Sequence, residues 1–404
     1  MKAVSTYVIV GVVLAIVVIG AVAYYMAFSG GQGSSSKPTE STTSQPPTTT
    51  TTQPPVQIPS ASITAGGSTF VNPAMQVWVN SFQSKYPQIQ VTYSSVGSGA
   101  GVNGFLRGSY DIGATDAPPP SDLYQQMVQK YGEVITIPDL VGGEAIIYNL
   151  PGFNGVLNLT ADVIAGIYSG KIQYWDDPAI QKLNPYFKLP HQKIIAVHRS
   201  DGSGTTFIFT YWLYVSSQVW RDSGIGYGYT VNWPVDQLGN GLGGKGNEGV
   251  TAYVKQNQYS IGYVEVQYAI ANNLASAAVQ NPSTGQFVQP SAQSLGNAVA
   301  NVNLSALPPA NQDLSKYLGL FFNAKADNAY PIVSFSWLVI KTNYDDKAKA
   351  IAIYLFLKHI ATTGQKELPT GYLPLPQNIQ QYVLESLKMI KYNGQPVYEL
   401  LGGS

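Results

Sequence analysis

The chain has 404 residues, enough for two domains of ordinary size. Charged residues make up 11% of it, against roughly 25% in typical soluble domains. The formal charge is zero with no basic run, which excludes a nucleic-acid footprint. Cysteine is absent, which excludes disulfides, thiolate metal sites and a cysteine-linked lipid anchor.

The first segment, TYVIVGVVLAIVVIGAVAYYMAF from Thr6 to Phe28, carries no charge and matches the ~20 residues a bilayer core requires. Lys2 lies before it, so the positive-inside rule places the rest of the chain outside the cell. Three readings stay open. Residues 1–29 act as a retained transmembrane anchor, or as a secretory signal cleaved after the small residues Ala21-Val22-Ala23. Alternatively, a prepilin-type peptidase cuts near Lys2-Ala3 and leaves the anchor in place. Residues 30–60 are dominated by Ser, Thr, Pro and Gly, which cannot form a core and read as a stalk open to O-glycosylation. Asn158 and Asn303 head N-glycosylation triplets, which matter only in an exported chain.

From residue 61 onward, strand-like and helix-like segments alternate, the pattern of an α/β protein. IQVTYSSV (Ile89–Val96), AIIYNL, KIIAVH and PIVSFSWLVIK read as strands. Met75, Trp78, Val79, Phe82 and Tyr86 follow Asn72-Pro73 at helical spacing, with proline at its favoured first turn. A second helix begins around Val102, Phe105 and Leu106, and a third carries AIAIYLFLKHI. Trp78, Trp175 and Trp212 read as core rather than as a sugar platform.

Three helix starts share one design of small residues followed by a hydroxyl: AGGSTFVNP, GSGAGVNGFL and DGSGTTFIF. A helix N-terminus exposes unpaired N–H groups and attracts anions, glycine permits close approach, and Ser or Thr adds a donor. Arg199, just before the third, offers a bidentate fork for an oxyanion, and Asp201 can hold it in place. Asp116, in DIGATDAPPP, has no cation near it in sequence. His198, Asp201 and Ser203 together raise a Ser–His–Asp hydrolase, although neighbours on one loop rarely meet triad geometry. GNGLGGKG (Gly239–Gly246) nearly matches a phosphate-binding P-loop, but Gly246 stands where a Ser or Thr is needed for Mg²⁺. It reads instead as a glycine loop before a helix. No His, Asp and Glu constellation suggests a metal, and no cofactor is expected.

Six stretches in order resemble the substrate-binding (PstS) family of ABC phosphate importers: AGGSTF, VGSGAGVNGFLRGSYDIGATDAP, SGKIQYWDDPAIQKLNP, HRSDGSGTTFIFTYWL, GLGGKGNEGV and IGYVEVQYAIANNLA. The resemblance runs from about Ile63 to at least Trp337. It implies a two-lobed, type II periplasmic-binding-protein fold with the ligand in the interlobe cleft. Residues 61–142 and 330–404 would form lobe I, and residues 143–329 lobe II, with crossings near Val141-Gly142-Gly143 and Tyr330–Val333. Carried over by position, the phosphate shell would be Thr69, Phe70, Ser98, Asp116, Arg199, Ser203, Gly204 and Thr205, with Asp201 restraining Arg199. Ser68 departs from the alanine common in the family, GSGAG replaces Gly-Ser-Ser-Gly-Gly, and His198 and Ser200 replace Arg and Ala.

In that set Asp116 would select the ligand by its proton. Phosphate near neutral pH carries about two negative charges and still has a proton to donate, whereas sulfate has none. The resemblance therefore implies a non-catalytic, monomeric receptor serving an ABC permease, and the N-terminal segment, which lies outside the resemblance, would tether it to the membrane outside the cell. An adhesion or assembly module on a glycosylated stalk is the alternative, with phosphoester hydrolysis behind it. The low charge content also suggests a surface suited to acidic surroundings.

Overall fold

The computed structural model describes residues 57–300, 302 and 307–403. The anchor of residues 1–29, nearly all of the stalk and the Asn303 triplet lie outside the described residues. Among those described, no helix is long and apolar enough to cross a membrane. Asn158 sits in a short strand, and its amide nitrogen donates to the Leu183 carbonyl at 3.4 Å.

The elements that build the molecule, in chain order, begin with β1 (Ala61–Gly67), α1 (Asn72–Lys85), β2 (Ile89–Ser95), α2 (Ser98–Arg107), β3 (Ile112–Thr115) and α3 (Ser121–Tyr131). After β4 (Val134–Asn149) come β5 (Ile195–Arg199), α4 (Gly204–Ser216), β6 (Gly241–Gly244), α5 (Gly246–Gln256) and β7 (Ser260–Glu265). The chain closes with β8 (Val333–Lys341), α6 (Lys347–Ala361) and α7 (Gln377–Leu387). Along the main sheet the order is β2-β1-β3-β8-β4-β7-β5-β6. β1 runs parallel to β2 and β3, and β5 runs parallel to β6 and β7. β8 and β4 join the two parallel sets by antiparallel pairing.

β4 is the element that holds both halves. Its residues up to Gly143 pair with β8, and from Glu144 onward it pairs with β7. The sequence pattern shows only its last third, because Pro138, Asp139 and two glycines interrupt the first part. The structure accommodates them with a register shift opposite Ser336 and Trp337, where Asp139 falls out of the ladder and Pro138 needs no donor. Nearly every residue of β4 is buried, Asp139 and Glu144 included, because it lies in the middle of the sheet between β8 and β7.

Helix α1 forms as its spacing predicts, with Pro73 in the first turn and Met75, Trp78, Val79 and Phe82 buried. Trp78, Trp175 and Trp212 are all fully buried. Within GNGLGGKG, expected to be a glycine loop before a helix, Gly241–Gly244 instead form strand β6, and Gly246 opens α5.

Candidate functional site

Parallel strands deliver their carboxyl ends to one edge of a sheet, where the following helices begin and ligands bind. Here β1, β2 and β3 present Ser68–Phe70, Ser98 and Asp116. Across from them β5 and β6 present Arg199–Thr205 and Gly246-Asn247. The two groups meet directly: the Gly99 amide donates to the Gly202 carbonyl at 3.0 Å, and Thr205 Oγ1 donates to Asp116 Oδ2 at 3.2 Å.

Asp116 is buried at the centre. Ser68 Oγ donates to its Oδ1, and its own amide donates to Ser98 Oγ at 3.2 Å. Burial pushes its carboxyl up to about 6, opposed by the Ser68 hydroxyl, the Arg199 charge, and the Thr205 and Ser98 hydroxyls. The absence of a cation near Asp116 in sequence is thus corrected by the fold, which brings Arg199 into electrostatic reach from 83 residues away.

Arg199 ends β5 and is itself buried. Its Nε and Nη2 fork onto Asp201 at 2.8 and 2.5 Å, and Nη1 donates to Thr205 Oγ1 at 3.2 Å. Three of its five donors are committed, which leaves two for an anion. Burial works to raise the Asp201 carboxyl, and the Arg199 hydrogen bond outweighs it, so the group is held below its ordinary value. Asp201 also accepts the Gly246 amide at 3.0 Å, which ties the fork to the next helix start.

Ser203 caps α4. Its Oγ accepts the Thr206 amide at 3.0 Å and keeps a hydroxyl proton to donate. Gly204 and Thr205 occupy the first turn, ahead of any intrahelical acceptor for their amides. Only glycine fits at position 204: a Cβ there would stand 2.5 Å from Ser98 Oγ and 2.7 Å from Asp116 Cβ.

The turn after β1 is held from behind. Tyr93, Tyr268 and Tyr372 donate in succession to the carbonyls of Ser68, Thr69 and Phe70, at 2.5, 2.6 and 2.5 Å. In a trans peptide the N–H points opposite the C=O, so the amides of Thr69, Phe70 and Val71 turn the other way. Val71's amide is taken by Ser68 Oγ at 3.1 Å. All three tyrosines have hydroxyl pKa values pushed above the ordinary range, chiefly by burial, and remain donors.

All eight residues proposed for the shell, together with Asp201, lie in this one region. The sequence reading missed Asn247. Its Nδ2 donates to Thr69 Oγ1 at 2.9 Å and to Thr205 Oγ1 at 3.2 Å, and its backbone amide donates to Thr69 Oγ1 at 3.1 Å. With its lone pairs so engaged, the Thr69 hydroxyl is free to donate its proton. The signal was present: GLGGKGNEGV is a fourth glycine-rich helix start, set aside for its poor match to a P-loop. The tyrosine clasps carried no local signal.

His198 does not serve Ser203. Its Nε2 lies 2.7 Å from Asp236 Oδ1, its Nδ1 lies 3.1 Å from the Arg199 carbonyl, and its ring stacks on Trp233. With Asp201 bound to Arg199, the hydrolase arrangement is not assembled.

A family model of the PBP superfamily domain matches residues 38–358. The chain is 40% identical over 338 residues to phosphate-binding protein PstS of Methanocaldococcus jannaschii, covering 81% of this chain and 86% of that protein. It is 37% identical over 325 residues to phosphate-binding protein PstS of Pasteurella multocida, covering 80% and 88%. A human phosphate-binding apolipoprotein superposes with TM-score 0.68 at 19% identity, over 85% of this chain and 99% of that one. A phosphate-binding protein from Stenotrophomonas maltophilia gives 0.59 at 16% identity, over 80% and 93%. These structures share the two-lobed α/β fold. By its match to the superfamily model and to curated relatives over four-fifths of its length, the chain belongs to the PstS phosphate-binding protein family of the PBP superfamily.

Proposed function

We propose that this chain captures inorganic phosphate outside the cell and hands it to the membrane permease of an ABC importer, without catalysis. The observation that carries the reading is Asp116, a buried acceptor set among donors. Amides of Thr69, Phe70, Gly204 and Thr205, hydroxyls of Thr69, Ser98 and Ser203, and the two spare Arg199 donors supply positive poles for the oxyanion. Asp116 accepts the one proton that phosphate still holds. A sulfate oxygen facing that carboxylate in a water-poor cleft is repelled instead.

In this reading residues 1–29 anchor the protein or direct its export, and residues 30–60 hold it off the membrane. Residues 61–142 and 330–404 form one lobe of a type II arrangement, residues 143–329 form the other, and the protein works as a monomer. The change of ladder partner within β4 between Gly143 and Glu144 supports that division.

Calorimetric titration of the full chain with phosphate, arsenate, molybdate and sulfate tests the proposal. Phosphate and arsenate should bind, and sulfate should bind weaker by roughly 10⁴-fold. Asp116→Asn should erase most of that ratio. Equal affinity of the unaltered protein for phosphate and sulfate would sink the reading.

A further inference from the structure

We propose that Ser68 is a specificity-determining residue of this site: its hydroxyl, aimed by the Val71 amide, keeps Asp116 a charged acceptor and extends discrimination between protonated and unprotonated oxyanions into acid. The inference rests on the phosphate reading above and concerns how that same site behaves as the medium changes.

The geometry runs in one direction. Ser68 is fully buried in the turn between β1 and α1. Its Oγ accepts the Val71 amide at 3.1 Å, which occupies a lone pair and leaves the hydroxyl proton to be donated. That proton goes to Asp116 Oδ1. The Ser68 backbone is pinned on both sides, its amide to the Ala114 carbonyl at 3.0 Å and its carbonyl by Tyr93. Ser68 therefore cannot turn away without breaking several bonds. Thr205 donates to the other oxygen, Oδ2, but its hydroxyl is shared with Arg199 and Asn247 and belongs to the opposite group of loops. Ser68 thus donates to the carboxylate from Asp116's own side of the cleft, where the Ser98 hydroxyl also favours the charged form but to a smaller extent.

The surroundings of Asp116 otherwise favour its neutral form. Burial is the influence that raises it, and the Asp116 charge in turn helps to raise its acidic neighbours Asp139 and Glu144 on β4 and Glu265 on β7. Arg199 on β5 is the opposing charge. The nearby hydroxyls of Tyr93, Tyr229 and Tyr372 are pushed upward and stay neutral. A protonated Asp116 would donate rather than accept, and would then admit an oxyanion that has no hydrogen to give. The Ser68 hydrogen bond delays that exchange of roles to lower pH.

The experiment is calorimetric titration of the full chain with inorganic phosphate and with sulfate across a pH series, for wild type, Ser68→Ala, Asp116→Asn and the double variant. The ligand's own protonation is common to all four proteins and cancels. In Ser68→Ala the pH at which the phosphate-to-sulfate ratio collapses should move up by about one to two units, the size of a hydrogen bond to a charged group. In the Asp116→Asn background the same change should leave the pH profile unmoved, which a merely structural effect would not produce. Ser68→Cys fills the site with a slightly larger, weaker donor, should shift the profile in the same direction by less, and serves if the alanine protein does not fold. A profile shared by wild type and the folded Ser68 variants overturns the role of Ser68 while leaving the phosphate reading standing. A wild-type protein that binds neither anion overturns both.

Discussion

Asp116 and Gly204 show how single atoms decide what this site can hold. The first turn of α4 approaches Asp116 so closely that a methyl group at position 204 would overlap Ser98 Oγ and the Asp116 side chain. Gly204 is helical, and no left-handed backbone angle is involved, so the conflict is one of space alone. Gly204→Ala should therefore fold, yet hold the two groups of loops apart. Overpacking of this kind costs about 1–3 kcal/mol, and where it falls on the phosphate-bound form it weakens binding by roughly 5- to 150-fold. Calorimetry beside a thermal melt checks this: affinity should fall much further than the melting temperature. An alanine variant that binds phosphate like wild type would contradict the close approach.

At the scale of elements, the turn after β1 is shaped by tyrosines from three different segments. Tyr93 comes from β2, Tyr372 from the segment before α7, and Tyr268 from the short helix Val266–Ala271 that follows β7. Tyr268 differs from the other two because it reaches Thr69 from the opposite lobe as proposed above, while also bonding Glu248 at 2.8 Å. On the two-lobe reading the bond to Thr69 forms when the cleft closes on phosphate and breaks when it opens. Tyr268→Phe removes one hydrogen bond from the closed form, about 1 kcal/mol, which predicts a roughly fivefold weaker phosphate affinity. Tyr93→Phe removes a bond within one lobe and should lower thermal stability with little change in closure. Solution scattering with and without phosphate, run on both variants, separates the two outcomes. Identical effects on affinity would argue against a latch at Tyr268.

For the whole molecule, the buried carboxyls set how stability follows pH. Asp116, Asp139, Glu144 and Glu265 are all raised, in each case chiefly by burial. Glu144 and Glu265 face each other across the β4–β7 ladder, and neither oxygen of Glu144 has a hydrogen-bond partner. A carboxyl raised by folding binds a proton more tightly in the native state than in the unfolded chain. Stability therefore falls as pH rises from the unfolded value, about 4, through the folded value. Asp201 and Asp313 are shifted the other way and lose their contribution only in stronger acid. The melting temperature in phosphate-free buffer should thus rise between about pH 8 and about pH 5, as expected of a chain suited to acidic surroundings. Glu144→Gln should flatten that rise and raise the melting temperature at the alkaline end. A melting temperature that drops steadily over the same interval would refute this account.

The local pattern of residues determined a good deal unaided. Proline at the start of α1 with its buried stripe, the β-branched runs of β2, β5 and β8, and the glycine-hydroxyl helix starts are short-range signals, set by backbone sterics and periodicity. They mark the loops that carry Thr69, Ser98 and Arg199 without reference to any tertiary contact. Tertiary structure alone decided which of these loops face one another. The pairing of Asp116 with Ser68 and Thr205, the arrival of Arg199 beside it, the Asn247 bridge and the tyrosine clasps all join residues dozens to hundreds of positions apart. Such contacts leave no periodic trace, because they depend on how β4 carries the chain from one half of the sheet to the other. The strand itself was half hidden for the same reason. Pro138 and the glycines look like breakers until a bulge opposite β8 gives them a place.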